Sequence, residues 1–163
     1  MGHGSEETTR ALADADVARG RLAAIVESTD DAVMSLSGDG TITSWNPGAG
    51  RLYGYGAVEI VGQPIFAVIP AVRQGNARAY LARVWDGEHL AHVEAVGRRK
   101  DGSEMALSLG LAPIRDAAGQ VIGIASIARD VSPPRAVAPN TPAASSVAIT
   151  PDKPRASAIR YVP

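Results

Sequence analysis

The sequence predicts an α+β domain, a five-stranded antiparallel sheet with short helices on one face, preceded by an N-terminal helix. Three observations carry that prediction. Residues Glu104 to Ile114 alternate, with Leu107, Leu109 and Leu111 on one side and Ala106, Ser108 and Gly110 on the other, the period-two pattern of a half-buried strand. Two tight-turn signals, Gly38-Asp39-Gly40 and Lys100-Asp101-Gly102-Ser103, each join two extended runs. Between them lies a stretch, Asn46 to Asp86, too rich in Pro and Gly for one long element and suited to short helices.

The elements follow in order. Ser5 to Glu27 is Ala-rich, lacks Pro, and places Leu12, Ala15, Leu22 and Val26 at three-four spacing, the mark of one helical face. Arg19 interrupts that stripe. Such a helix either packs on its own domain or dimerises the protein as a short parallel coiled coil, and about two heptads cannot decide between these. The first strand is Ala32 to Ser37 and the second Thr41 to Trp45. Of the helical pieces, Val72 to Trp85 is long enough for a regular helix. Leu90 to Arg99, Glu104 to Ile114 and Gln120 to Val131 complete the sheet, with Arg115 to Gly119 as the last turn. Residues 1–20 thus form an N-terminal helical segment, 21–132 the domain, and 133–163 a tail. That tail opens on Pro133-Pro134, repeats Pro, Ala, Ser and Thr, and is expected to be disordered.

Composition narrows the function. Hydrophobic residues make up 45% of the 163 positions but aromatics only 4%, so the core must rest on Ala, Val, Ile and Leu. The formal net charge is -1, without the basic surplus of a nucleic-acid binder. No polybasic run suggests a membrane surface, and no stretch approaches the roughly 20 apolar residues of a bilayer span. Cysteine is absent, which excludes disulfides, thiolate catalysis and Cys-type zinc sites and fits a cytoplasmic setting. No P-loop, dinucleotide fingerprint, nucleophile elbow or zinc motif is present, and no serine sits beside a recognisable base; the chain is read as non-enzymatic.

Several segments in succession resemble the PAS family of bacterial sensory domains. They are Leu22 to Val33, then Gly40-Thr41-Ile42-Thr43-Ser44-Trp45-Asn46-Pro47, then Leu52-Tyr53-Gly54-Tyr55 and Glu59-Ile60-Val61-Gly62-Gln63-Pro64. Arg98 to Ser103, Pro113-Ile114-Arg115-Asp116 and Ala128-Arg129-Asp130-Val131-Ser132 close the series. The resemblance implies a sensory or protein-interaction module in signal transduction, acting as a homodimer or with a signalling partner, and a cavity between sheet and helices. Pocket candidates are Trp45, Ile69, Val72, Leu81, Trp85, Val93, Leu107, Leu109 and Leu111, a lining without a charged anchor. Trp45 reads better as plain core than as pocket wall, since buried aromatics usually serve packing.

No cofactor is required by these residues. The flavin photoadduct of some relatives needs a cysteine, which is missing, although non-covalent flavin leaves no short motif. Haem needs an axial ligand, and the position used in oxygen-sensing relatives falls on Arg73 or Gln74. His89 and His92 are the histidines within the domain. Asn46 is expected to cap the helix after the second strand, and Gly54 and Gly62 to end short helices in left-handed conformation. Asp130, Val131 and Ser132 mark the junction through which many relatives pass a signal into a helix. Here Pro133-Pro134 blocks that helix. Output would then run through a partner, through the N-terminal helix, or through a larger sensor from which this piece derives.

Overall fold

The computed structural model describes residues 3–133, so the expected disorder of the Pro/Ala-rich tail lies outside the described residues. The chain begins with helix α1 (His3–Ser28), which leads into strands β1 (Ala32–Ser37) and β2 (Ile42–Trp45). Helices α2 (Pro47–Tyr53) and α3 (Ala57–Ile60) follow, then two 3-10 turns (Ile65–Val68 and Ala71–Arg73) and helix α4 (Gln74–Trp85). Strands β3 (Leu90–Arg98), β4 (Glu104–Arg115) and β5 (Val121–Asp130) complete the domain. The five strands form one antiparallel sheet in the order β2-β1-β5-β4-β3. The last strand therefore lies in the middle, between the first strand and the C-terminal hairpins.

Side-chain alternation fixes which face is core. Ala32, Met34 and Leu36 of β1, Met105, Leu107 and Leu111 of β4, and Ile124 and Ala128 of β5 are buried together under the helical layer. The Lys100–Ser103 turn forms as the Asp-Gly signal requires: the Arg99 N–H donates to Ser103 O at 2.8 Å and the Gly102 N–H to Arg99 O at 2.9 Å. Gly54 (φ +83°) and Gly62 (φ +95°) take the left-handed conformation expected at these helix ends.

Two details differ from the sequence reading. The helix expected from Val72 starts at Gln74, because Pro70 opens a 3-10 turn that carries Ala71 to Arg73 first. Strand β3 is irregular near its start, where the pairing shifts between Leu90 and Val93 and His92 stands at φ +55°. A side chain is strained there, and His92 is exposed. His92→Gly should therefore raise stability by about 0.5 kcal/mol in urea melts, whereas His92→Val should lower it.

Asn46 joins three elements. Its Oδ1 accepts from the N–H groups of Val33 and Ala49, each at 2.8 Å. Its Nδ2 donates to Val26 O at 2.7 Å and Asp31 O at 3.0 Å. It caps the first turn of α2 as expected, and it also takes up one of the carbonyls that the end of α1 leaves open.

Four surface carboxylates titrate low. Arg129 holds Asp31 below the ordinary carboxylate range, through two hydrogen bonds of 3.0 and 2.8 Å. Hydrogen bonds from Ser132 do the same for Asp130, from Ser37 for Asp39, and from Lys100 for Glu59. A carboxylate that titrates lower folded than unfolded stabilises the fold above its unfolded pKa, and that contribution is lost as pH falls through the folded value. Stability in urea should thus hold from neutrality to about pH 5 and drop below about pH 4. Asp31→Asn should flatten part of that drop.

Candidate functional site

A cavity of about 520 Å³ lies between the inner face of the sheet and the helical layer. That is within the roughly 300–1,000 Å³ typical of small-molecule pockets. Its walls are built by periodicity. From α4 and the turn before it come Arg73, Asn76, Ala77, Tyr80 and Leu81, at the three-four spacing of one helical face. The 3-10 turn adds Ile65 and Val68, and Ile69 follows. The sheet supplies Met34 and Leu36 from β1, Leu107, Leu109 and Leu111 from β4, and Ser126 from β5.

Five residues expected in the pocket are in this lining: Ile69, Leu81, Leu107, Leu109 and Leu111. Four are elsewhere. Trp45 is buried core; its ring stacks at a tilt on Tyr53 at 5.3 Å, and its Nε1 donates to Tyr55 O at 3.0 Å. Val72 lies on the 3-10 turn before α4, off the stripe that faces the sheet, and is 87% exposed. Trp85 sits at the C-terminal end of α4, past the cavity, and lies over Gly38. There it borders a separate hollow with Leu36, Leu81 and Ile124. Val93, opposite Leu109, packs on the core without reaching the cavity.

The lining is also more polar than the sequence reading expected. Arg73, Asn76 and Tyr80 from the helical side and Glu94 from β3 all border it, so charged anchors of both signs are present. Arg73, Asn76 and Tyr80 were missed because the three-four stripe that runs into α4 was read for its apolar members alone.

Two hydroxyls lie deeper. Ser126 is 5% exposed in the middle of the central strand, at a position where the alternation of β5 places Ile124 and Ala128 on either side. Its neighbours across the sheet are Met34 and Leu111, both apolar and both in the cavity wall. Tyr53, at the end of α2, is 3% exposed. Burial pushes its phenol pKa far above the ordinary value, so it stays protonated. Among the described residues, no side chain or backbone group hydrogen-bonds either hydroxyl. Neither is sealed in, since no fully enclosed side-chain polar atom lacks a partner. Both are buried polar groups of the cavity wall left for something other than protein to satisfy.

In the segment that the family resemblance marks as a junction, Asp130 accepts from Arg99 Nη2 at 2.9 Å and from the Ser132 N–H at 2.8 Å. The Val131 N–H donates to Ala106 O at 2.9 Å, and Ser132 Oγ accepts from the Ala106 N–H at 3.0 Å. Val131 itself borders the cavity. The junction is thus pinned to β4 while one of its side chains meets the cavity. His89 and His92 are exposed and lie outside the lining. Among the described residues no three His, Cys, Asp or Glu side chains come together as a metal site, and no helix is long and apolar enough to cross a membrane.

Known structures share this fold. The crystal structure of the PAS domain of a protein from Colwellia psychrerythraea matches with a TM-score of 0.66 at 23% identity, covering 69% of this chain and 96% of that one. The PAS domain of an HTR-like protein from Haloarcula marismortui matches at 0.62 and 24% identity, covering 76% and 99%. In sequence, the chain is 34% identical over 105 residues to "Two-component system protein A" of Emericella nidulans. That stretch is 63% of this chain and 15% of the relative, so the likeness reaches a small part of a longer signalling protein. A model of the PAS fold matches residues 26–136, well over half of the sequence, and the chain belongs to the PAS-fold family.

Proposed function

We propose that this protein is a non-enzymatic sensory and interaction module of signal transduction, which receives a small molecule in the cavity and passes the effect to a partner. The observation that carries the reading is the cavity itself, with two unpartnered buried hydroxyls in its wall and Val131 of the output junction at its edge. A ligand touching Val131 meets the segment through which the chain leaves the sheet. The similarity to a two-component system protein supports a signalling role. A cytoplasmic setting suits a cysteine-free chain with a formal net charge of -1.

The test is native mass spectrometry of freshly purified protein, with a visible absorbance spectrum before and after a reductant. A non-covalent small-molecule adduct that is lost on denaturation, with a featureless spectrum, is the expected result. A flavin or haem band would replace this reading with a redox or gas sensor.

The partner we propose is a second copy, through α1. Leu12 and Leu22, of the stripe Leu12, Ala15, Leu22 and Val26, are each more than half exposed along that helix, an apolar seam that a parallel helix pair would cover. The intact protein should then be a dimer by light scattering, and removal of residues 1–21 should leave a monomer. A dimer mass unchanged by the truncation would refute the pairing.

A further inference from the structure

We infer that the cavity selects a neutral, largely apolar molecule carrying a hydrogen-bond acceptor, to which Tyr53 or Ser126 donates its hydroxyl proton. This rests on the proposed function and names the ligand chemistry of the same site.

Both hydroxyls stand among apolar and aromatic neighbours. Ser126 stands between Met34 and Leu111 across the sheet. Tyr53 packs on Trp45 and lies against Gly97, where the strand comes so close that a Cβ would approach the Tyr53 ring at 3.2 Å. Both side chains are more than nine-tenths buried and neither has a protein partner. Both hydroxyls open to the cavity and not to a protein partner, so a ligand acceptor that reaches one gains a hydrogen bond worth about tenfold in affinity. The phenol cannot ionise under ordinary conditions, which leaves it a donor to a carbonyl or ether oxygen.

Charge is disfavoured at this depth. The charged side chains of the lining, Arg73 and Glu94, belong to α4's N-terminal approach and to β3, and both are exposed. A carboxylate placed against Ser126 would be desolvated beside Met34 and Leu111 with a hydroxyl alone to balance it. A neutral carbonyl there can accept from the Ser126 hydroxyl, or from the Tyr53 hydroxyl at its own place in the wall, without that cost.

Three naphthalene derivatives of nearly one shape separate these cases: methyl naphthyl ketone, ethylnaphthalene and naphthoate. Binding of each to the full chain is measured by calorimetry. The ketone should bind about tenfold more tightly than ethylnaphthalene and more tightly still than naphthoate. Tyr53→Phe or Ser126→Ala should weaken the ketone by about five- to tenfold, and both should leave ethylnaphthalene unchanged. Retained ethylnaphthalene binding shows that the cavity survives each substitution. Naphthoate binding as well as the ketone, or ketone affinity unchanged in both variants, would overturn the ligand class while the cavity reading stands. Equal loss of ketone and ethylnaphthalene in the variants would also overturn it, because the hydroxyls would then shape the cavity rather than bond the ligand. If none of the three binds, the cavity reading fails and the inference falls with it.

Discussion

Asn46→Ala should destabilise the protein by about 3–5 kcal/mol, the sum expected when four hydrogen bonds to one buried side chain are lost and their partners are stranded. The side chain is 6% exposed and uses all of its capacity, two acceptor contacts and two donor contacts. The groups left behind belong to α1, to the entry of β1 and to the first turn of α2, so the loss loosens three elements at once. Chemical denaturation measures it directly. Asn46→Asp separates the two halves of the network. A carboxylate keeps the contacts from Val33 and Ala49 but sets its second oxygen against the carbonyls of Val26 and Asp31. That geometry raises the folded pKa of the new carboxyl. Its protonated form can still donate, so the penalty should be largest at neutral pH and shrink as pH falls through the raised value.

Gly48→Ala should cost about 3 kcal/mol or more, at the upper end of overpacking effects. A Cβ at this buried position would stand 2.3 Å from the backbone oxygen of Asp31, 2.9 Å from its carbonyl carbon and 3.0 Å from the backbone oxygen of Asp30. All three are main-chain atoms, so relief requires the start of β1 to move away from α2, against the contacts that Asn46 holds. Gly110→Ala is the comparison. It lies on β4 with nothing within 4 Å of the added atom, and it should be neutral or slightly stabilising. Parallel thermal melts of the two variants should differ widely. Equal melts would mean that α2 and β1 are not held as closely as the geometry indicates.

Much of this fold was legible because local signals agreed with one another. The two Gly-containing turns fixed the hairpins, the alternating leucines of β4 fixed the face that meets the helices, and Asn46 announced a helix start. The order of the strands was not legible in the same way. Pairing β5 between β1 and β4 depends on contacts across the whole chain, such as Ala32 with Ala128 and Leu109 with the same residue, and periodicity carries no information about them.

The cavity was half legible for a related reason. Leu107, Leu109 and Leu111 belong to a strand whose period is plain, whereas Val72 and Trp85 were placed by assuming one regular helix from Val72. The 3-10 turn after Pro70 shifts the helix start and removes Val72 from the inward face. Ser126 and Tyr53 were passed over because a serine inside a strand and a tyrosine beside Gly54 look ordinary in a sequence. Ser126 did leave one signal: it interrupts the inward run of Ile124 and Ala128 with a hydroxyl, which a plain core would not favour.

The most direct test of the account is an amide chemical-shift map of the full chain titrated with methyl naphthyl ketone. The account predicts perturbations gathered at Tyr53, Ala77, Leu109 and Ser126 and extending to Val131 at the junction. Perturbations confined instead to the exposed apolar residues of α1, or to Ile122 and Ile127 on the sheet, would contradict it, because the small molecule would then be binding a surface and not the cavity.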